Sequence, residues 1–338
     1  MNSGRLKQDI EEWSVTGLVS NPRVYGHAIK DSSLYDADIR KKLKLDKLRE
    51  ELFLDLLLED VSHAADLLRP IYDQTDGVDG WVSLEVSPLH ACDTDCTLDA
   101  AKVLYSRVQR PNLFIGIPGT KEGLPAVEEA IFAGVPVNVT LLFSWEQYLA
   151  AADAFLRGIE RRIAAGLKPN VDSVASMFVS HWDAAVTGKV PEALHNQLGI
   201  AVARQTYRAY CEVLSSPLWK HAYNAGVRPQ RLLWAGTEIG DADISDDFYI
   251  KALAAPFTVV SMFENLPKAL ADRGEIGELM PADGGDCEAV LTRFAEAGID
   301  INALAAELQN KEAVASVKSW IDLLSMIASK SAALWQYQ

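Results

Sequence analysis

A chain of 338 residues can hold one large α/β domain or two ordinary ones, and 49% hydrophobic with 23% charged residues is the balance of a globular protein. A formal net charge of −15 argues against a phosphodiester partner, and no apolar run is long enough to span a membrane. The opening MNSGRLKQD lacks a signal-peptide core and the four cysteines are scattered, so the expected location is cytoplasmic, with neither nucleic acid nor membrane as partner.

In chain order, the β-rich segments are TGLVSN (16–21), WVSLEVS (81–87), NLFIGIP (112–118), VNVTLLF (137–143), SVASMFVS (173–180), RLLWAGT (231–237) and FTVVSMF (257–263). Helical stretches separate them. Thr97 opens one helix, and Ser144 with Gln147 forms a capping box ahead of another. Pro125 lies early in GLPAVEEAIFAG, with Gly134 where a C-terminal cap belongs. No linker or composition shift interrupts residues 1–338, so a single domain is expected. Strand and helix in repeated alternation imply a parallel sheet with right-handed crossovers.

No glycine-rich turn follows the first strand, which counts against a dinucleotide-binding sheet. In WVSLEVS, Val82, Leu84 and Val86 share one face, and Ser83, Glu85 and Ser87 share the other. In VNVTLLF, Asn138 and Thr140 oppose Val137, Val139 and Leu141. A central strand covered on both faces by helices reads apolar throughout, whereas a barrel turns a polar inner face towards its catalytic end. The expected fold is therefore a (β/α)8 TIM barrel, although only seven strands are legible.

The stretches VSLEVSPLHACDT, RPNLFIGIPGTKEGLPAVEEAIFAGVPVNVTLLFS and SVASMFVSHWD resemble the strand signatures of the transaldolase family, in its longer bacterial form. TGLVSNP and RPQRLLWAGT extend the resemblance, and residues from about 286 to 336 resemble that family's extra C-terminal helices. It covers nearly the whole chain.

The resemblance carries expectations about residues. The family's Schiff-base lysine falls on Gly116, in Ile115-Gly116-Ile117-Pro118-Gly119-Thr120, and glycine offers no amine there. An arginine that grips substrate phosphate falls on His181, and two further phosphate-serving positions fall on Gly236 and Gly240, with Glu238 between them. Imidazole lacks the bidentate fork of arginine, and a carboxylate repels phosphate. The family's first strand has no counterpart before Ser3-Gly4-Arg5-Leu6. A late start codon, a barrel closed without that strand, or a partner or swapped segment would each account for it, so a homodimer or protein partner covering the edge is among the expectations.

Other family positions are kept. Glu85 matches the glutamate that orients the catalytic water and moves protons, and Asn21, Asn138, Thr140, Ser176 and Phe178 match residues around the substrate. Glu85 and His181 are thus the candidate catalytic groups, with a small-molecule substrate and no cofactor. His90, Cys92 and Cys96 lie close in sequence, but H-x-C-x3-C is not a standard zinc spacing, so no metal is expected. Lys121 is the candidate substitute amine. Trp182 is expected to reshape the pocket, and Cys211 and Cys287 to serve packing.

The expected function is a transaldolase-like scaffold turned to non-Schiff-base chemistry on a sugar-like or other carbonyl substrate, in a specialised biosynthetic pathway. The alternatives are an inactive homologue serving as a binding or structural partner, and a pentose-phosphate transaldolase that uses a different lysine.

Overall fold

Each of the seven expected strands forms: β1 (Gly17–Val19), β2 (Trp81–Glu85), β3 (Leu113–Pro118), β4 (Val137–Leu142), β5 (Ser173–Phe178), β6 (Arg231–Ala235) and β7 (Thr258–Val260). They belong to one sheet whose order follows the chain, β1-β2-β3-β4-β5-β6-β7. The pairs β1–β2, β4–β5, β5–β6 and β6–β7 run parallel. This sequential parallel order, with helices in the connections, is the topology expected of a TIM-barrel chain. The computed structural model describes residues 4–20, 25–26, 29, 33–43, 49–238, 244–262, 266–273 and 277–335. Among these, no helix is long and apolar enough to cross a membrane.

Two compact units divide the chain, and the division falls within β3. The first takes the described residues of 1–90, 102–115 and 313–338. Its core is the helix Arg49–Gln74 packed on β2. Val61, Ala64, Ala65 and Leu68, at helical spacing, are fully buried, as are Val82 and Leu84 of the strand. Asn112, also fully buried, ties the layers by donating from Nδ2 to Ala65 O (2.9 Å) and Gly80 O (2.8 Å). Trp81 stacks on Phe114 with ring centroids 4.0 Å apart.

The second unit takes residues 91–101 and the described residues of 116–312. The capping box forms as expected: Ser144 Oγ accepts from Gln147 N while the Gln147 side chain accepts from Ser144 N, opening the helix Trp145–Ala164. Gly134 closes the helix Gly123–Ala133 in the left-handed conformation, φ 87°. The helix expected to open at Thr97 starts at Thr94 instead. Asp93 Oδ1 accepts from Cys96 N at 2.9 Å, so the aspartate caps it and Thr97 is buried one turn inside.

The C-terminal region forms two helices, Cys287–Glu296 and Ile301–Trp335. Phe294, Leu304, Ala305 and Leu308 from these helices pack with Phe143, Trp182, Val186 and Leu198 in one apolar cluster. Trp182 corrects the sequence reading. It is fully buried in that cluster, with Nε1 donating to Phe143 O at 3.0 Å, and so serves the core instead of shaping a pocket.

Candidate active site

In the second unit, the polar residues of β4 and β5 come together as the alternation predicts. Ser176 Oγ donates to Asn138 Oδ1 at 2.7 Å, and both residues are buried. Thr140 is buried on the same face of β4. At the end of β5, Phe178 stacks on Phe143 at 5.3 Å, and both rings meet His181 edge-on, at centroid distances of 5.3 and 5.9 Å. His181 is half-buried and belongs to the short helix Ser180–Val186. Its Nε2 lies 3.5 Å from Glu312 Oε2, on the C-terminal helix. That is ion-pair range and long for a hydrogen bond. Its Nδ1 is buried without a hydrogen-bond partner among the described residues.

The end of β4 is irregular. The β4–β5 register shifts between Val139 and Leu142, and Leu141 takes φ 59°, a conformation that costs a non-glycine residue free energy. Gln309 holds this bulge from the C-terminal helix. Its Nε2 donates to Leu141 O (2.9 Å) and to Gly119 O (3.2 Å). The turn that follows β3 is thereby anchored three ways, because Gly119 N also donates to Thr140 O (2.7 Å) and Thr94 Oγ1 donates to Glu122 O (2.6 Å). Lys121, in the middle of that turn, is exposed. Gly116 is buried within β3.

Asp183, two residues after His181, is the anchor of its helix. The buried carboxylate accepts from Leu198 N (2.9 Å), Gly199 N (3.1 Å) and Tyr249 Oη (2.7 Å). Burial pushes its pKa up, against the lowering effect of those three donors.

In the first unit, Glu85 ends β2 and lines a small cavity with Ser20, Tyr25, Phe53, Leu57, Leu84 and Trp320. The remaining sequence candidates are placed as follows. Asn21 and Gly240 lie outside the described residues. Cys92 and Cys96 are exposed, Cys211 is half-buried and Cys287 is buried. Among the described residues, no group of three or more His, Cys, Asp or Glu side chains could hold a metal ion.

Sequence reasoning missed Gln309, Glu312, Tyr25 and Trp320. The first, second and fourth sit on the 35-residue C-terminal helix, whose sequence shows only ordinary helical composition. No local signal marks them, since their partners lie far away along the chain.

Comparison with known proteins places these residues in context. The model of the family described as Transaldolase/Fructose-6-phosphate aldolase matches residues 1–327. A protein named Transaldolase from Thermobifida fusca is 40% identical over 342 residues, covering 98% of this chain and 93% of that protein. Another of that name, from a Parafrankia species, is 38% identical over 97% of this chain and 91% of its own length. A third, from Mycolicibacterium paratuberculosis, is 37% identical over 96% and 90%. These findings overturn the expectation of a scaffold repurposed for non-Schiff-base chemistry. Likeness at this level runs through the whole chain, and the relatives carry the ordinary enzyme's name. Of the readings made from the sequence, a pentose-phosphate transaldolase with a different lysine fits them better.

Proposed function

Because the chain belongs to the transaldolase/fructose-6-phosphate aldolase family, we propose that it is a pentose-phosphate transaldolase whose imine-forming amine is Lys121. The observation that carries this reading is the full-length likeness to proteins named Transaldolase. The reaction moves a three-carbon ketol unit from a ketose phosphate to an aldose phosphate. An amine is needed to turn the ketose carbonyl into an electron sink. Residue 116 is glycine, and Lys121 is the lysine that follows β3 directly, in a turn pinned by Gly119, Gln309 and Thr94.

In this reading Lys121 Nζ attacks the ketose carbonyl carbon, and the carbonyl oxygen leaves as water. The iminium then accepts the electron pair of the breaking C3–C4 bond as the C4 hydroxyl loses its proton. The first aldose phosphate departs, and the three-carbon enamine adds to the aldehyde of the second. Water hydrolyses the new iminium and frees the lysine. The Asn138–Ser176 pair and Thr140 supply amide and hydroxyl groups for the substrate's hydroxyls. His181, oriented by Glu312, is assigned proton transfer. Glu85 keeps the same assignment on the sequence resemblance alone.

The test is borohydride trapping with fructose 6-phosphate, read by intact mass and peptide mapping beside a coupled transfer assay. A reduced adduct on Lys121, lost together with transfer in Lys121→Met, is the expected result. Turnover that survives in Lys121→Met, with the adduct on another lysine, would move the amine role to that residue. A folded protein with neither adduct nor transfer would overturn the activity itself.

A further inference from the structure

The C-terminal helix carries a core-facing stripe that turns polar where it reaches His181. Leu304, Ala305 and Leu308 pack in the apolar cluster with Phe143 and Trp182, at helical spacing. The next positions of the stripe, Gln309 and Glu312, are half-buried. Polar side chains on such a stripe are costly unless each finds a partner. Gln309 Nε2 donates to Leu141 O, near the end of β4, and to Gly119 O, just past β3. Glu312 Oε2 faces His181 Nε2 at 3.5 Å. Three positions apart, the two side chains leave the same face of the helix.

The two nitrogens of the His181 ring have unlike surroundings. Nε2 faces the Glu312 carboxylate, whereas Nδ1 lies on the side of Gly236, buried and without a hydrogen-bond partner among the described residues. A neutral imidazole carries one ring proton. On Nδ1 that proton would be a buried donor with no acceptor, and the Nε2 lone pair would be turned towards a carboxylate. On Nε2 it answers Glu312 and leaves only the Nδ1 lone pair unused. The surroundings therefore select the Nε2–H form. This selection lasts only while Glu312, a long and flexible side chain, stays in place. The backbone from which it reaches is held one turn earlier, by the two bonds of Gln309.

We propose that Glu312 is a positioning residue that fixes the proton of neutral His181 on Nε2, and that Gln309 fixes the helical turn from which Glu312 reaches. All three residues lie in the second unit. Neither side chain of the C-terminal helix needs to touch substrate. Each acts through the ring, so that His181 presents one tautomer in one orientation instead of a mixture. The kinetic consequence rests on the proton transfer assigned to His181, but the state of the ring does not, and neither depends on the assignment of Lys121.

The experiment uses the full chain labelled with 15N-histidine, whose long-range 1H–15N spectra show which ring nitrogen carries the proton. His181→Gln assigns the His181 ring among the six histidines. Spectra are taken above the pH at which that ring has lost its charge, read from its own titration. Wild type is expected to show the proton on Nε2. Glu312→Ala is expected to give a mixture of the two forms. Glu312→Gln, whose amide oxygen still accepts, is expected to restore the single form. Gln309→Met keeps the length of its side chain and removes both bonds. It is expected to move the His181 ring towards the same mixture, while the other five histidines stay as they were. With fructose 6-phosphate as donor, Glu312→Ala is expected to lower kcat about tenfold with KM within about twofold, and Glu312→Gln to recover most of the loss. A proton on Nδ1 in wild type, or a single Nε2–H form that survives in Glu312→Ala, would overturn the proposal. An unaltered ring in Gln309→Met would overturn the part given to Gln309. Undiminished kcat in Glu312→Ala with a mixed ring would overturn the positioning role. Absence of sugar-phosphate turnover in wild type would sink the transaldolase reading, and the ring spectra would still decide on Glu312.

Discussion

Gly236 leaves the space that His181 occupies. A Cβ at Gly236 would stand 2.9 Å from both Cε1 and Nδ1 of the imidazole, and the backbone there takes φ 59°. In the sequence these positions read as two separate expected departures from the family pattern. In the structure they are neighbours, and Ser180 N donates to Gly236 O at 2.8 Å beside them. A ring at 181 needs a residue at 236 with no side chain, so the identities of the two residues are coupled.

Gly236→Ala is therefore expected to lower stability by about 1–2 kcal/mol, the usual cost of a left-handed non-glycine residue with some added overlap. In a His181→Ala background the overlap with the imidazole disappears, and the backbone part remains with a tight approach to Phe178 Cδ1 at 3.2 Å. Urea midpoints for the two single variants and the double variant would give the coupling directly. Strict additivity would show that the two residues do not share the space.

The Gln309 side chain gives a second expectation. It answers two carbonyls at once, one of them on the strained residue Leu141. Gln309→Ala should cost about 1–2 kcal/mol, and Gln309→Glu more, because a carboxylate would then face two carbonyl oxygens. Amide exchange at residues 140–142 and 119–122 should quicken in both variants, since the same side chain pins the bulge and the turn that carries Lys121. Unchanged exchange in these segments would mean that the bulge is held by the sheet alone.

These long-range contacts mark where sequence reading stops. The strands were legible because side-chain alternation writes the inner face of a barrel directly into the chain, and Asn138 and Ser176 meet as that pattern implies. The capping box at Ser144 was legible because both of its partners lie within one turn. Gln309 and Gly119 are 190 residues apart, and Tyr249 and Asp183 are 66 apart. No periodicity pairs them, because the pairing depends on how distant elements pack. Trp182 was misread for a related reason. Its place beside His181 suggested the pocket, but successive residues on a helix point in different directions, and the indole faces the core.

Asp183 supplies the pH-dependent expectation. Its carboxyl pKa is raised in the folded protein, chiefly by burial, above the roughly 3.9 of an exposed aspartate. Below the unfolded value the group is protonated in both states and its contribution to stability is fully present. As pH rises through the raised folded value, ionisation proceeds more readily in the unfolded chain, and that contribution is lost. Removing the titration with Asp183→Asn should flatten this part of the stability profile, so wild type gains on the variant as pH falls from neutral towards 4. The amide also has only one acceptor oxygen for the donors at Leu198, Gly199 and Tyr249, so the variant should be less stable throughout, by about 1–3 kcal/mol. Tyr249→Phe removes one donor that favours the carboxylate, which should raise the folded pKa further and steepen the same slope. Chemical denaturation of the three proteins between pH 4 and 8 would check the order. Parallel profiles for wild type and Asp183→Asn would show that the carboxylate titrates alike in the folded and unfolded chain.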